Sequence, residues 1–297
     1  MDHPKRALIV SATVVIAALT LSACASGSTG SSEKVDGKWT ASSEPLRVWA
    51  ENRPHSEILE HIQDAGLLPD GVTLDVTVAQ EGVNENETVE NGDVDATYID
   101  HVPFFEQDTK QRGITDLEVD AKVHIEPLGI YSKKVTSVDD IPDGATIGIP
   151  DNVTNFARGL FLLQSAGLLK LDRSFDGGDL SGDDLLITEA NITSNPKHLK
   201  FLKTADNTQL ARQLQDVDAA ILQGNAALGV DLTPSQDALQ LEDSKNGNPY
   251  VNVLIAPKAL HDDPRIEALD KALTSKEIAD WITKTYKGSV IPVNHVE

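Results

Sequence analysis

The single cysteine of this chain, Cys24, stands at the end of a short apolar run, and that placement fixes how the rest of the chain is organised. Lys5 and Arg6 form a basic start. Residues 7–21 are then apolar or small and carry no charge. Such a stretch is shorter than the roughly 20 residues a membrane helix needs, and it reads as a secretory leader. It ends in Leu21-Ser22-Ala23-Cys24, which resembles a bacterial lipobox, with Cys24 as the acylated residue. Residues 25–43 are rich in Ser and Gly and read as a flexible tether. The expected organisation is therefore a signal peptide over 1–23, a lipidated tether over 24–44 and a folded body from Pro45, held on the extracytoplasmic face of a cell membrane. With its one cysteine committed to lipid, the body contains no disulfide and no cysteine-based zinc site.

The body must then fold on its hydrophobic pattern alone. Of 297 residues, 40% are hydrophobic, enough for one large or two medium domains. The formal net charge is −22, from 47 Asp+Glu against 25 Lys+Arg, which speaks against nucleic acid and against adsorption on anionic lipid. Short strand-like runs fall at residues 46–50, 72–78, 94–99, 123–131, 146–149, 218–222 and 250–256. Helical patterns lie between them. Ile58, Leu59 and Ile62 share a face that ends at Gly66, with Pro54 in the first turn. Thr154 reads as the cap of a helix carrying Leu160, Phe161 and Leu163 and ending at Gly167. Asp263-Pro264 opens another, and Thr274 with Glu277 resembles a capping box. Alternating strands and helices predict an α/β protein with largely parallel sheets.

Catalytic motifs are missing: the sequence has no GxSxG, P-loop, HExxH or GxGxxG, and its eight histidines are not spaced as a metal pair. The acidic segments 84–95 and 176–184 fail the calcium-loop pattern; the first reads as a polar helix and turn before a strand, the second as a solvated turn. The expectation is a binding protein rather than an enzyme, with no cofactor and no metal. A different small ligand, or a surface lipoprotein without a transport role, is the alternative reading.

Residues 126–134 (EPLGIYSKK), 141–150 (IPDGATIGIP), 154–169 (TNFARGLFLLQSAGLL), 195–201 (NPKHLKF), 217–228 (VDAAILQGNAAL), 237–243 and 248–253 (NPYVNV) together resemble the NlpA/MetQ lipoproteins. Residues 54–59 and 98–103 match weaker blocks. The resemblance runs in order over nearly all of 46–297. It implies a two-lobed, type II-like periplasmic-binding-protein fold with a ligand cleft between the lobes. It also implies capture of methionine or a related amino acid or short peptide, and delivery to an ABC permease with its ATPase. Residues 123–131 and 250–256 would carry the chain between the lobes. Lobe I would be 45–128 plus 252–297, and lobe II 129–251.

The resemblance also places the ligand. Arg158, whose fork can clasp a carboxylate, is assigned to the first turn of the helix that starts at Thr154. Asn155 lies one turn earlier. Gln223 and Asn225 flank Gly224 at a strand end, and Tyr98 and His101 sit at another, with His55 a lesser candidate. The chain departs from the family at Ile99 (usually Phe), Asp100 (usually Gln), Gln223 (usually Asn) and Ala226 (usually aromatic), all in the expected cleft.

Overall fold

The computed structural model describes residues 44–80, 82–175, 182–205, 207–244 and 248–295, together with the backbone of two short strands at Glu33–Val35 and Lys38–Thr40. Cys24 and the leader lie outside the described residues, as does most of the acidic segment 176–184. No helix among the described residues is long and apolar enough to cross a membrane.

The main strands and helices, in chain order, are β1 (Leu46–Ala50), α1 (Glu57–Asp64), β2 (Leu74–Val78), α2 (Glu85–Glu90), β3 (Ala96–His101), α3 (Val102–Arg112) and β4 (Leu117–Ile125). Next come β5 (Gly129–Tyr131), β6 (Thr146–Pro150), α4 (Val153–Ser165), β7 (Lys200–Thr204), α5 (Asn207–Arg212), β8 (Ala219–Leu222), α6 (Gly224–Leu228) and β9 (Gln240–Leu241). β10 (Val251–Pro257), α7 (Pro264–Leu273), α8 (Lys276–Tyr286) and β11 (Ile291–Pro292) complete the chain.

Two sheets organise these elements. One has six strands in the order β11-β4-β10-β3-β1-β2, and the other five in the order β7-β6-β8-β5-β9. The chain leaves the first sheet after Ile125, builds the second, and returns at Val251. Each sheet is parallel only at one side, β2-β1-β3 and β7-β6-β8. The remaining pairs are antiparallel, which corrects the expectation of largely parallel sheets. The reason lies in the crossings. A strand that arrives from the other lobe enters its sheet without a βαβ turn of its own, so nothing forces it parallel.

Each sheet buries its own core. Val48, Ile58, Ile62, Tyr98, Leu254, Leu269 and Ile282 cluster around the first, so the apolar face read on α1 packs inward. Ile130, Ile147, Ile149, Leu160, Leu163 and Ile221 cluster around the second. Local signals shift by a residue or two at helix starts. The cap of α4 is Asn152, whose side chain accepts from Asn155 N, and Thr154 is already helical. Arg158 therefore falls in the second turn rather than the first. The cap of α8 is Ser275 rather than Thr274, through a bond from Ile278 N. Pro54 sits in an irregular turn, Asn52–Ser56, ahead of α1. Pro127 ends the strand expected over 123–131 and divides β4 from β5.

Candidate functional site

A cleft of about 430 Å³ opens between the two sheets, within the roughly 300–1,000 Å³ usual for small-molecule sites. It gathers at the carboxyl ends of the parallel strands, where α/β sheets place their ligands. Trp49 and Glu51 reach it from the end of β1, Ile99, Asp100 and His101 from the end of β3, and Asn152 and Asn155 from the start of α4. Asn207 and Thr208 of α5 and Gln223 and Asn225 around the start of α6 join Asn152 and Asn155 on the second lobe's wall, and Asn252 of β10 joins the first lobe's. Glu126, between β4 and β5, lies at its base.

His101 joins the two lobes. Its Nδ1 accepts the Phe104 N–H at 3.1 Å as the cap of α3. That leaves the ring proton on Nε2, which donates to Asn155 Oδ1 at 3.0 Å. Burial, aided by the Arg158 charge, pushes the His101 pKa down to about 3, so this ring is neutral at physiological pH. Asn155 thus has its oxygen occupied and its amide N–H groups left for another acceptor.

Asn225 N donates to Glu126 Oε2 at 2.9 Å, and Glu51 lines the same cleft. Gln223 accepts from the Asn207 amide across the turn. Gly224 is the close-approach position. A Cβ there would stand 2.7 Å from the carbonyl oxygen of Ser289 in the other lobe. Burial first, then the neighbouring charge of Glu126, raise Glu51 to about 8. Its side chain keeps 42% of its surface open to the cleft, so solvent screens part of that effect.

Arg158 does not line the cleft. It is buried behind the wall, with Nε 2.6 Å from Glu242 Oε2 and Nη2 2.9 Å from Glu242 Oε1. Nη2 also donates to the Glu126 carbonyl at 2.7 Å, and the guanidinium lies 4.4 Å over the Tyr250 ring. Glu126 belongs to the chain crossing into the second sheet, and Glu242 and Tyr250 to the crossing back. One side chain therefore ties both crossings to α4. Its Nη1 has no hydrogen-bond partner among the described residues.

Tyr98 also stays out of the cleft. It is fully buried in the first core, and its hydroxyl meets His124 Nδ1 at 2.5 Å. His55 is buried beside it, 3.2 Å from Asn252 Oδ1. Two groups among the described residues could share a metal ion, each with ligand atoms within 4.8 Å of one another: Glu118, Asp120 and His261 away from the cleft, and His55, His124 and Glu126 at its base. Their spacing in sequence (69 and 2 residues apart) gives no sign of this. They already engage one another, His124 Nε2 at 3.3 Å and His55 Nε2 at 3.5 Å from Glu126 Oε1. Burial pushes His55 down to about 4 and His124 to about 3, a neutral hydrogen-bonded floor under the cleft.

Of the residues expected from sequence, His101, Asn155, Gln223 and Asn225 converge on the cleft. Sequence reasoning missed Glu51, Glu126, Asn152, Asn207 and Asn252. Trp49 and Glu51 had a signal, since they close a strand as Asp100 does. Asn252 had none, because it lies within a strand and only pairing shows which way it faces.

Two α/β lobes joined by two crossings, with strand order β4-β10-β3-β1-β2 in the first and polar residues converging between them, define a type II-like solute-binding protein. Residues 46–294 match the NlpA lipoprotein family, and the chain belongs to that family. It is 36% identical, over 97% of its length and 98% of the relative's, to the methionine-binding lipoprotein MetQ of Bacillus subtilis. It is 31% identical, over 74% of this chain and 78% of the relative, to the D-methionine-binding lipoprotein MetQ of Salmonella typhi. Among solved structures, a nutrient-binding protein of Burkholderia cenocepacia bound to methionine superposes with a TM-score of 0.75 at 33% identity, over 84% of this chain and 99% of that one.

Proposed function

We propose that this chain is the extracytoplasmic solute-binding lipoprotein of an ABC importer, anchored through Cys24, and that its cleft holds methionine or a related amino acid or short peptide for a permease. The observation that carries the reading is the cleft itself: amides and carboxylates from both lobes converge on it, and relatives matched along most of the chain are methionine-binding. In this reading the ligand carboxylate faces the start of α4, with Asn155 and the N–H groups of the first turn as donors and the Arg158 charge acting from behind the wall. The ammonium faces Glu51 and Glu126, and the side chain lies against Trp49, Ile99 and Phe104. Lobe I comprises 45–128 and 252–297, lobe II 129–251. The protein acts by binding and release, without catalysis.

Mass spectrometry of small molecules released from the purified, denatured protein tests this, together with calorimetry on an amino-acid panel. A retained amino acid or short peptide that also binds the emptied protein is expected. No released ligand and no binding across the panel would overturn the proposal in favour of a surface lipoprotein without a transport role, and turnover of the ligand would make it an enzyme.

A further inference from the structure

Away from the cleft, the antiparallel pair β4-β10 ends with Ala256 opposite Glu118 and Pro257 opposite Leu117. The register slips just before this end. Leu254 stands opposite Ala121 but Ile255 opposite Val119, so Asp120 is the extra residue of a β-bulge. The packing records the same slip. Leu117 and Val119 pack on one core, Ala121 and Val123 on the other. Glu118 and Asp120 alternate with Leu117 and Val119, and so project together on the opposite side of the sheet.

A histidine is brought to the same place from elsewhere in the chain. β10 passes into one short turn, Lys258–Leu260. Lys258 N donates to the Asp116 carbonyl at 2.7 Å, and Lys258 Nζ to the Thr115 carbonyl at 2.7 Å, which pins the turn to the start of β4. His261 follows, with its Nδ1 3.2 Å from Glu118 Oε1 and 4.0 Å from Asp120 Oδ1. The ligand atoms of the three residues lie within 4.8 Å of one another.

The Asp120 side chain is 5% exposed, and its Oδ2 has no hydrogen-bond partner among the described residues. Neither carboxylate pairs with a Lys or Arg among those residues; His261 is their shared ionic partner. A buried carboxylate oxygen left unmatched is costly, and one imidazole that is 70% exposed answers two carboxylates poorly. Burial first, then the neighbouring Glu118, raise the Asp120 carboxyl to about 7, as expected where positive charge is lacking.

We infer that Glu118, Asp120 and His261 form a binding site for a divalent transition-metal cation, separate from the cleft and independent of what the cleft holds. One imidazole with two carboxylates suits Zn²⁺ or Mn²⁺, whereas Ca²⁺ and Mg²⁺ take oxygen ligands. Three protein ligands with an open, solvent-facing side leave the remaining positions to water. The bound cation ties the bulge of β4 to the segment that leads from β10 into α7.

Zn²⁺ titrated by calorimetry into the full-length, untagged, chelator-treated protein tests this, with Ca²⁺ and Mg²⁺ in parallel. One Zn²⁺ per chain is expected, bound more than about tenfold tighter than Ca²⁺ or Mg²⁺, with affinity falling about tenfold or more in His261→Ala and in Glu118→Gln. Zn²⁺ should also raise the melting temperature of the wild type and do so less in either variant. Both substituted side chains reach solvent, and if one variant does not fold the other decides. Absence of Zn²⁺ binding overturns the inference. Equal binding in wild type and variants overturns the assignment to these residues and moves the cation elsewhere in the chain, the buried His55, His124 and Glu126 included. Ca²⁺ or Mg²⁺ binding as tightly as Zn²⁺ overturns the transition-metal class.

Discussion

Arg158 shows how much one side chain can be asked to hold. Its fork closes on Glu242, its second nitrogen reaches the Glu126 carbonyl, and its plane lies over Tyr250, all with 2% of its surface exposed. Removing it leaves the Glu242 carboxylate without its charge partner. Arg158→Ala should therefore lose about 3–5 kcal/mol of stability in denaturant unfolding, besides any loss of ligand affinity. A change under about 1 kcal/mol, the level of an exposed pair, would show that the two crossings do not depend on it. Glu51 makes a different prediction. Its pKa rises from the ordinary 4.5 to about 8, so between those values the folded protein keeps a proton that the unfolded chain has lost. Stability contributed this way falls as pH rises. His55, His101 and His124 act oppositely, because they stay neutral when the unfolded chain protonates, but only below their ordinary value of 6.5. Above pH 6.5 the carboxyl groups act alone, with Asp120, raised to about 7, beside Glu51 in this effect. The melting temperature of the ligand-free protein should decline from about pH 6.5 to about pH 8, and Glu51→Gln should flatten that decline. An identical pH profile in the variant would show that Glu51 titrates normally.

At the level of elements, α4 is both a packing helix and a wall of the cleft. Phe156, Leu160 and Leu163 face the second core, while Asn152 and Asn155 face the cleft. Asn152 accepts from Asn155 N at 2.8 Å, so it holds the helix start and the Asn155 orientation together. Asn152→Ala should cost about 1 kcal/mol of stability and weaken ligand binding; unchanged unfolding would mean that the first turn needs no cap. Gly224 permits the approach of α6 to Ser289. Much of this is legible in the sequence. The apolar faces of α1 and α4 and the strands at 46–50, 146–149 and 218–222 stand out because period and composition agree there. The start of β4 does not. Residues 117–122 have the strand period, with apolar and charged side chains alternating where β4 pairs with β10, but their charge-rich composition masks it. Cap positions also slip, since Asn152 and Thr154 both suit a cap and the choice is made by the turn that leaves β6. In the cleft, residues at strand ends can be read from topology. Arg158 stands out by its charge in a run poor in basic residues, but its partner Glu242 lies 84 positions away, where no local pattern points.

At the level of the whole molecule, the lobes touch across the cleft through His101 and Asn155, 54 positions apart in sequence. Both residues also line the cleft, so a ligand seated between the lobes favours the arrangement in which they meet. Small-angle scattering should show a smaller radius of gyration with saturating ligand than without, and His101→Ala should reduce the difference. An unchanged radius in a sample where binding is confirmed would argue against a moving cleft. The placement of β10 has a further consequence for a chain exported with its amino terminus first. β10 lies inside the first sheet, between β4 and β3, yet it is drawn from residues 251–257. Until about the last sixth of the polypeptide has emerged, that sheet is only β2-β1-β3 with an open edge at β3, while β4 stands alone without a partner strand. The second sheet, built wholly from residues 129–241, has every strand in hand well before then. Emergence from the translocon therefore imposes an order of assembly, second lobe before first, and leaves a window in which the unfinished first sheet is open to proteases and to pairing with its neighbours.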